Sequence, residues 1–210
     1  MIYLDSALVS EAKTVEKWGW VKGITTNPTL LAKSDLPPET TLEQLAAISP
    51  GELYYQLMAT DFQGMVAEGR KAFEMIGEKT VLKVPATAVG FQVVAHLSPE
   101  IPCSVTAIYS AAQAAVATEA GAKYAIAYVN RATRLLGDGL VLVKEMAAIL
   151  KDSPTEILAA SLKSPEEAAR ALIAGADHLT LPLEMLNAMT THNLSKQTID
   201  EFAQKGRGLS

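Results

Sequence analysis

The chain has 210 residues, 49% hydrophobic and 20% charged, with 23 acidic against 18 basic side chains and a formal net charge of -5. That length supports one sizeable core in a single domain, and the balance excludes both a disordered chain and a basic nucleic-acid binder. The one cysteine, Cys103, excludes an intrachain disulfide and fits a reducing compartment, so a cytoplasmic location is expected. The first residues run straight into Asp5 without the basic and apolar regions of a signal peptide, and no apolar stretch is long enough for a bilayer, so no membrane partner is expected.

Ile2-Tyr3-Leu4 reads as a short strand ending at Asp5, followed by a helix over 10–18. A second strand over 21–25 is broken by Thr26-Asn27-Pro28, residues that favour turns. A helix over 39–48, a strand over 53–58 and a helix over 62–76, stopped by Gly77, come next. Residues 80–87, Thr-Val-Leu-Lys-Val-Pro-Ala-Thr, form a β-branched run with a helix over 88–96 behind it. Then follow a strand over 101–107, an Ala-rich helix over 110–120, a strand over 124–129, a helix over 140–150 and a strand over 157–160. Ser164, Pro165 and Glu167 form a capping box that opens the next helix, and Gly175 closes it. A last strand over 178–181 leads into a helical region that opens at Pro182 and continues beyond Leu194.

Eight strands alternating with helices are the count of a closed (β/α)8 barrel, here one domain over 1–210 with a C-terminal helical extension. The competing open sheet carries a glycine-rich turn after its first strand, whereas this strand ends Leu4-Asp5-Ser6-Ala7.

Lys83 stands out because Val81, Leu82 and Val84 surround it. Burying an ammonium is costly, and the same cost raises the neutral, nucleophilic fraction that a Schiff-base lysine needs. The plainer reading is an edge-strand lysine that snorkels or forms an ion pair. Barrel chemistry sits at the C-terminal strand ends, and polar residues line up there: Asp5, Thr25 to Asn27, Gln56, Lys83, Thr106, Tyr128 with Asn130 and Arg131, and Ser161 with Lys163. Each alone could be a cap or turn residue, but seven successive strand ends of this kind suit carbonyl chemistry on a hydroxylated, phosphorylated substrate. His96, His178 and His192 lack ligand spacing, so no metal is expected, and no P-loop or dinucleotide fingerprint appears.

With these residues assembled, the sequence resembles the short members of the transaldolase family, which include the fructose-6-phosphate aldolases. The resemblance rests on Tyr3-Leu4-Asp5, Gly23-Ile24-Thr25-Thr26-Asn27-Pro28, Gln56-Leu57-Met58-Ala59-Thr60, Leu82-Lys83-Val84-Pro85, Thr106-Ala107-Ile108-Tyr109-Ser110, Tyr128-Val129-Asn130-Arg131, Ala159-Ala160-Ser161 and Thr180-Leu181-Pro182. It implies a class I aldolase working without a metal or other cofactor, in which Lys83 forms an imine with a ketose phosphate. Asp5 would take the C4 hydroxyl proton, while Gln56, Thr106 and Tyr128 would hold a proton-relaying water. Asn27 would bind substrate hydroxyls, with Thr25, Thr26, Asn130 and Lys163 as further substrate-binding candidates. Arg131 and Ser161 would bind the phosphate.

Members acting as transaldolases resemble one another in carrying glutamate at the position of Gln56, phenylalanine at that of Tyr128, and Ile-Arg-His-Pro in place of Leu162-Lys163-Ser164-Pro165. At all three this chain is similar to the fructose-6-phosphate aldolases. Cleavage of fructose 6-phosphate to dihydroxyacetone and glyceraldehyde 3-phosphate is therefore expected. The alternatives are a transaldolase moving a dihydroxyacetone unit between sugar phosphates, as in the pentose phosphate pathway, and an inactive barrel serving in binding or assembly. Ala127 replaces a common proline, and Arg134-Leu135-Leu136 replaces a usual glycine-rich loop. The resemblance also implies a homo-oligomer, a pentamer or decamer, in which the C-terminal helix reaches a neighbour.

Overall fold

A computed structural model describes residues 1–208. Eight strands, β1 (Ile2–Asp5), β2 (Gly23–Thr25), β3 (Glu52–Gln56), β4 (Thr80–Pro85), β5 (Cys103–Ile108), β6 (Tyr124–Tyr128), β7 (Glu156–Ala160) and β8 (His178–Leu181), close into a barrel in chain order. Every neighbouring pair is parallel, and Ile2 opposite Leu179 and Leu4 opposite Leu181 complete the ring between β1 and β8. This is the (β/α)8 architecture that the alternation of strands and helices predicts.

Side chains alternate across each strand, and the two sets build two different interiors. Leu4, Ile24, Leu53, Leu82, Val84, Cys103, Val105, Ala125, Ala127, Ile157, Ala159 and Leu179 face outward into the layer between strands and helices. The other set fills the barrel itself, where Tyr3, Tyr54, Val81, Tyr124, Ile126, Leu158 and Ala160 pack together with Tyr128 against them. Gly23 belongs here by necessity, because a Cβ on it would lie 2.9 Å from the Tyr3 ring and 2.4 Å from the Glu52 carbonyl oxygen.

The helices are α1 (Val9–Glu16), α2 (Pro28–Leu31), α3 (Pro38–Ile48), α4 (Phe62–Ile76), α5 (Ala88–Leu97), α6 (Ala111–Glu119), α7 (Val129–Leu136), α8 (Gly139–Leu150), α9 (Pro165–Ile173), α10 (Leu183–Met189) and α11 (Asn193–Lys205). Two of these, α2 and α7, correct the expected outline, and the C-terminal helical region is resolved into α10 and α11. Asn27-Pro28 ends β2 as expected but also starts the one-turn α2, with Asn27 Oδ1 accepting the Leu30 N–H at 3.0 Å. Arg134-Leu135-Leu136, expected as loop, is the last turn of α7, which Gly137 terminates at φ 99°. The C-terminal region is two helices, because the chain breaks after Met189 and the His192 ring accepts the Leu194 N–H that restarts it. No residue of α11 is buried, and Leu194, Ile199 and Phe202 are exposed. Among the described residues no helix is long and apolar enough to cross a membrane.

Glu52 closes the N-terminal mouth of the barrel by gathering three buried phenols and one amine. It accepts hydrogen bonds from Tyr3 at 2.8 Å, Tyr54 at 3.2 Å, Tyr124 at 2.9 Å and Lys123 Nζ at 2.7 Å. Burial opposes its charge, but the bonds from Lys123, Tyr3 and Tyr124 outweigh that cost together and hold the carboxyl below the ordinary glutamate range. A carboxyl depressed on folding contributes stability above its unfolded value, and that contribution fades as pH falls through the folded one. Glu52→Gln should therefore cost about 1–3 kcal/mol of unfolding free energy at pH 7, with the difference from the parent shrinking once pH drops below about 4.3. Denaturant melts across pH that show a constant difference would contradict this role.

Candidate active site

The second inward layer is the chemically distinctive one. Two residues beyond Tyr3, Tyr54, Val81, Ile126 and His178 stand Asp5, Gln56, Lys83, Tyr128 and Thr180, so strand periodicity lifts all five to the C-terminal end of the barrel. They line one cavity of about 520 Å³ with Asn27, Arg131, Ser161 and Lys163. That volume lies within the range of small-molecule sites.

Lys83 is 3% exposed, and its Nζ donates to the Thr26 carbonyl oxygen at 3.2 Å. The remaining ammonium hydrogens are left to the cavity that the side chain lines. Gln56 sits opposite Lys83 across the β3–β4 pairing, and Ser104 opposite it across β4–β5.

Asp5 begins a short relay of hydroxyls. Its Oδ1 accepts from Thr25 Oγ1 at 2.8 Å, and the Thr25 and Thr180 hydroxyl oxygens lie 2.5 Å apart. Burial pushes the Asp5 carboxyl above the ordinary aspartate range, and the nearby Lys83 charge, the Thr25 bond and the charges of Lys163 and Lys33 only partly offset this. Raised basicity in a buried carboxylate suits proton abstraction.

Tyr128 is held from three sides. Thr106 Oγ1 donates to its phenolic oxygen at 3.0 Å, the Tyr109 ring meets it edge-on at 6.3 Å, and the Arg131 guanidinium lies 4.9 Å from its ring centroid. Because Thr106 supplies the hydrogen of that bond, the phenol keeps its own proton for another acceptor. A break in the β5–β6 register between Val105 and Ile108, with Ala107 at φ 60°, bends the strand just beyond Thr106.

Arg131, Ser161 and Lys163 form the cationic end of the cavity. Ser161 adopts φ 58°, a left-handed conformation uncommon outside glycine and asparagine, and its carbonyl accepts the Asn130 N–H at 3.0 Å. Such donors around a guanidinium and an ammonium suit a phosphate or carboxylate.

Not every candidate reaches the cavity. Thr26 spends its hydroxyl on the Tyr54 carbonyl at 2.7 Å, and Thr25 and Thr106 act through Asp5 and Tyr128. The Asn130 amide donates to Glu167 Oε1 at 3.3 Å. Conversely, the cavity includes Thr29, Met58 and Thr180, which strand-end reasoning passed over. Thr180 was within reach of that reasoning, since it is the one polar residue late in β8. Cys103 faces the outer core, where burial pushes its thiol up to about 12. Among the described residues no group of three or more His, Cys, Asp or Glu side chains is placed to hold a metal ion.

Comparison with known proteins supplies the family. Residues 2–208 match the family model described as transaldolase/fructose-6-phosphate aldolase. A protein of Nitrosopumilus maritimus named "Probable transaldolase" is 37% identical over 205 residues, covering 96% of this chain and 92% of that protein. One of the same name from Kosmotoga olearia is 35% identical, with 99% of each covered. Among solved structures, mandelate oxidase overlays with a TM-score of 0.62 at 20% identity, covering 94% of this chain and 67% of that one, and a further mandelate oxidase structure, also at 0.62, overlays 59% of its chain. At that identity the likeness is one of fold. The chain belongs to the transaldolase/fructose-6-phosphate aldolase family, and is an enzyme of that aldolase or transaldolase type.

Proposed function

We propose that this enzyme is a class I aldolase that reversibly cleaves fructose 6-phosphate, or a similar ketose phosphate, into dihydroxyacetone and glyceraldehyde 3-phosphate. The observation that carries the reading is the Thr106 to Tyr128 hydrogen bond, whose direction leaves the phenol as a proton donor in the cavity lined by Lys83.

The neutral Lys83 amine attacks the C2 carbonyl, and loss of water from the carbinolamine leaves a protonated imine. Asp5 takes the C4 hydroxyl proton while the C3–C4 bond breaks, its electron pair moving into the imine to give an enamine and release the aldehyde. Tyr128, oriented by Thr106, returns a proton to C3 through a water held with Gln56. Hydrolysis of the resulting imine frees dihydroxyacetone and the amine. Asn27 binds hydroxyls near the imine, and Arg131, Ser161 and Lys163 hold the phosphate. Thr25, Thr26 and Asn130 serve this site through their bonds to Asp5, Lys83 and Glu167.

The relatives' names favour a second reading, transfer of the dihydroxyacetone unit to an aldose phosphate in the pentose phosphate pathway. The two differ in what becomes of the enamine, and the Tyr128 phenol supports release. A cytoplasmic location fits the single cysteine. A homo-oligomer, pentamer or decamer, fits the uncovered Leu194, Ile199 and Phe202 on α11. The partners are small sugar phosphates, with neither nucleic acid nor membrane among them.

Given fructose 6-phosphate alone, the enzyme should release free dihydroxyacetone and glyceraldehyde 3-phosphate in equal amounts. Tyr128→Phe should lower that release about 100-fold while transfer to an added aldose phosphate persists. No free dihydroxyacetone from the parent, or an unchanged ratio of release to transfer in the variant, would favour the transferase.

Asp5 allows a separate check. Its folded carboxyl is raised above its unfolded value, so the protonated form's stability is intact at low pH and is lost as pH rises through the folded value. Asp5→Asn keeps an oxygen for Thr25 without the buried charge. It should abolish cleavage yet raise the melting temperature, by more at pH 8 than at pH 5. A variant less stable than the parent at every pH would overturn this account of Asp5.

A further inference from the structure

Resting on the reading of Arg131, Ser161 and Lys163 as the phosphate site, we infer that Glu167 is a positioning residue that ties the two loops of that site together. Glu167 lies in the first turn of α9 and does not line the cavity. Its carboxylate divides between two elements. Oε2 accepts the Lys163 N–H at 2.6 Å, on the loop after β7, and Oε1 accepts the Asn130 amide at 3.3 Å, on α7 after β6. Glu167 is itself fixed, since its own N–H donates to Ser164 Oγ at 3.0 Å.

The Asn130 N–H donates in turn to the Ser161 carbonyl oxygen at 3.0 Å, closing a circuit around a serine held at φ 58°. Arg131 is the next residue along α7 from Asn130, and Lys163 is anchored by its own N–H. The guanidinium and the ammonium are thus placed relative to each other by one carboxylate that touches neither charge. A capping box needs only a bond from the N-cap N–H, here that of Ser164; Glu167 instead takes the N–H of Lys163, one residue earlier, and its other oxygen reaches Asn130 on the helix after β6, which couples the cap to the site.

A glutamine at 167 replaces one of the two oxygens with an NH2 group, which faces a donor N–H and cannot accept from it, so one arm of the bridge is lost. Coulomb's law and positioning also predict opposite signs. Removing a carboxylate near an anion site should tighten phosphate binding if charge alone matters, whereas loss of the bridge should loosen it.

The test compares Glu167→Gln and Glu167→Ala with the parent enzyme in two assays: KM for fructose 6-phosphate, and the rate of borohydride trapping with dihydroxyacetone, which carries no phosphate. Positioning predicts a KM about tenfold higher with kcat and the trapping rate within about twofold, and a weaker inhibition constant for inorganic phosphate. A KM that is unchanged or lower, or a fall of the same factor in both assays, would overturn the inference. Arg131→Gln is the reference variant. If it raises KM while the Glu167 variants do not, the bridge fails and the phosphate site stands; if it leaves KM unchanged, the phosphate site itself is misplaced and the inference falls with it.

Discussion

The placement of Lys83 depends on the two-residue alternation of side chains in a closed barrel. Each strand turns every second residue inward, so an amine on β4 shares its level with whatever its neighbours carry at the same height. Below that level the barrel is filled by tyrosines and aliphatic side chains gathered over Glu52. At that level stand Asp5, Gln56, Tyr128 and Thr180. The floor excludes water from beneath, and the amine can meet a substrate only from the C-terminal side.

That constraint explains why the polar groups hold one another in a definite order. A buried carboxylate and a buried ammonium each cost free energy, and each is stabilised by the other's charge and by a fixed donor or acceptor. Asp5 leans on Thr25, whose hydroxyl is paired in turn with that of Thr180, and Lys83 on the Thr26 carbonyl. Tyr128 is oriented by Thr106 and covered by Arg131. A carboxyl, an amine and a phenol are thereby held in one cavity, the set that the proposed imine chemistry on a ketose phosphate requires.

Much of this was legible in the sequence because barrel strands announce themselves twice, by apolar runs and by the polar residue that ends each one. Asp5, Gln56, Lys83 and Tyr128 were found by that rule, and all four line the cavity. The rule failed where helix and strand meet without a turn. Val129 extends an apolar strand pattern yet is the first residue of α7, so Arg134-Leu135-Leu136 reads as loop. It also failed for residues whose sequence position is right but whose side chain is engaged elsewhere. Asn130 stands at a strand end, but only the fold reveals that Glu167 receives its amide. Glu167 was visible as a capping residue; that its second oxygen crosses to α7 depends on the packing of β6 beside β7, which local pattern does not encode.

The central claim is that Lys83 is the amine that forms the imine, and mass spectrometry after borohydride reduction in the presence of dihydroxyacetone addresses it directly. One reduced adduct per chain, mapped to the peptide containing Lys83 and absent from Lys83→Met, is the predicted result. No adduct, or an adduct on Lys163 or Lys33 that survives in Lys83→Met, would contradict it.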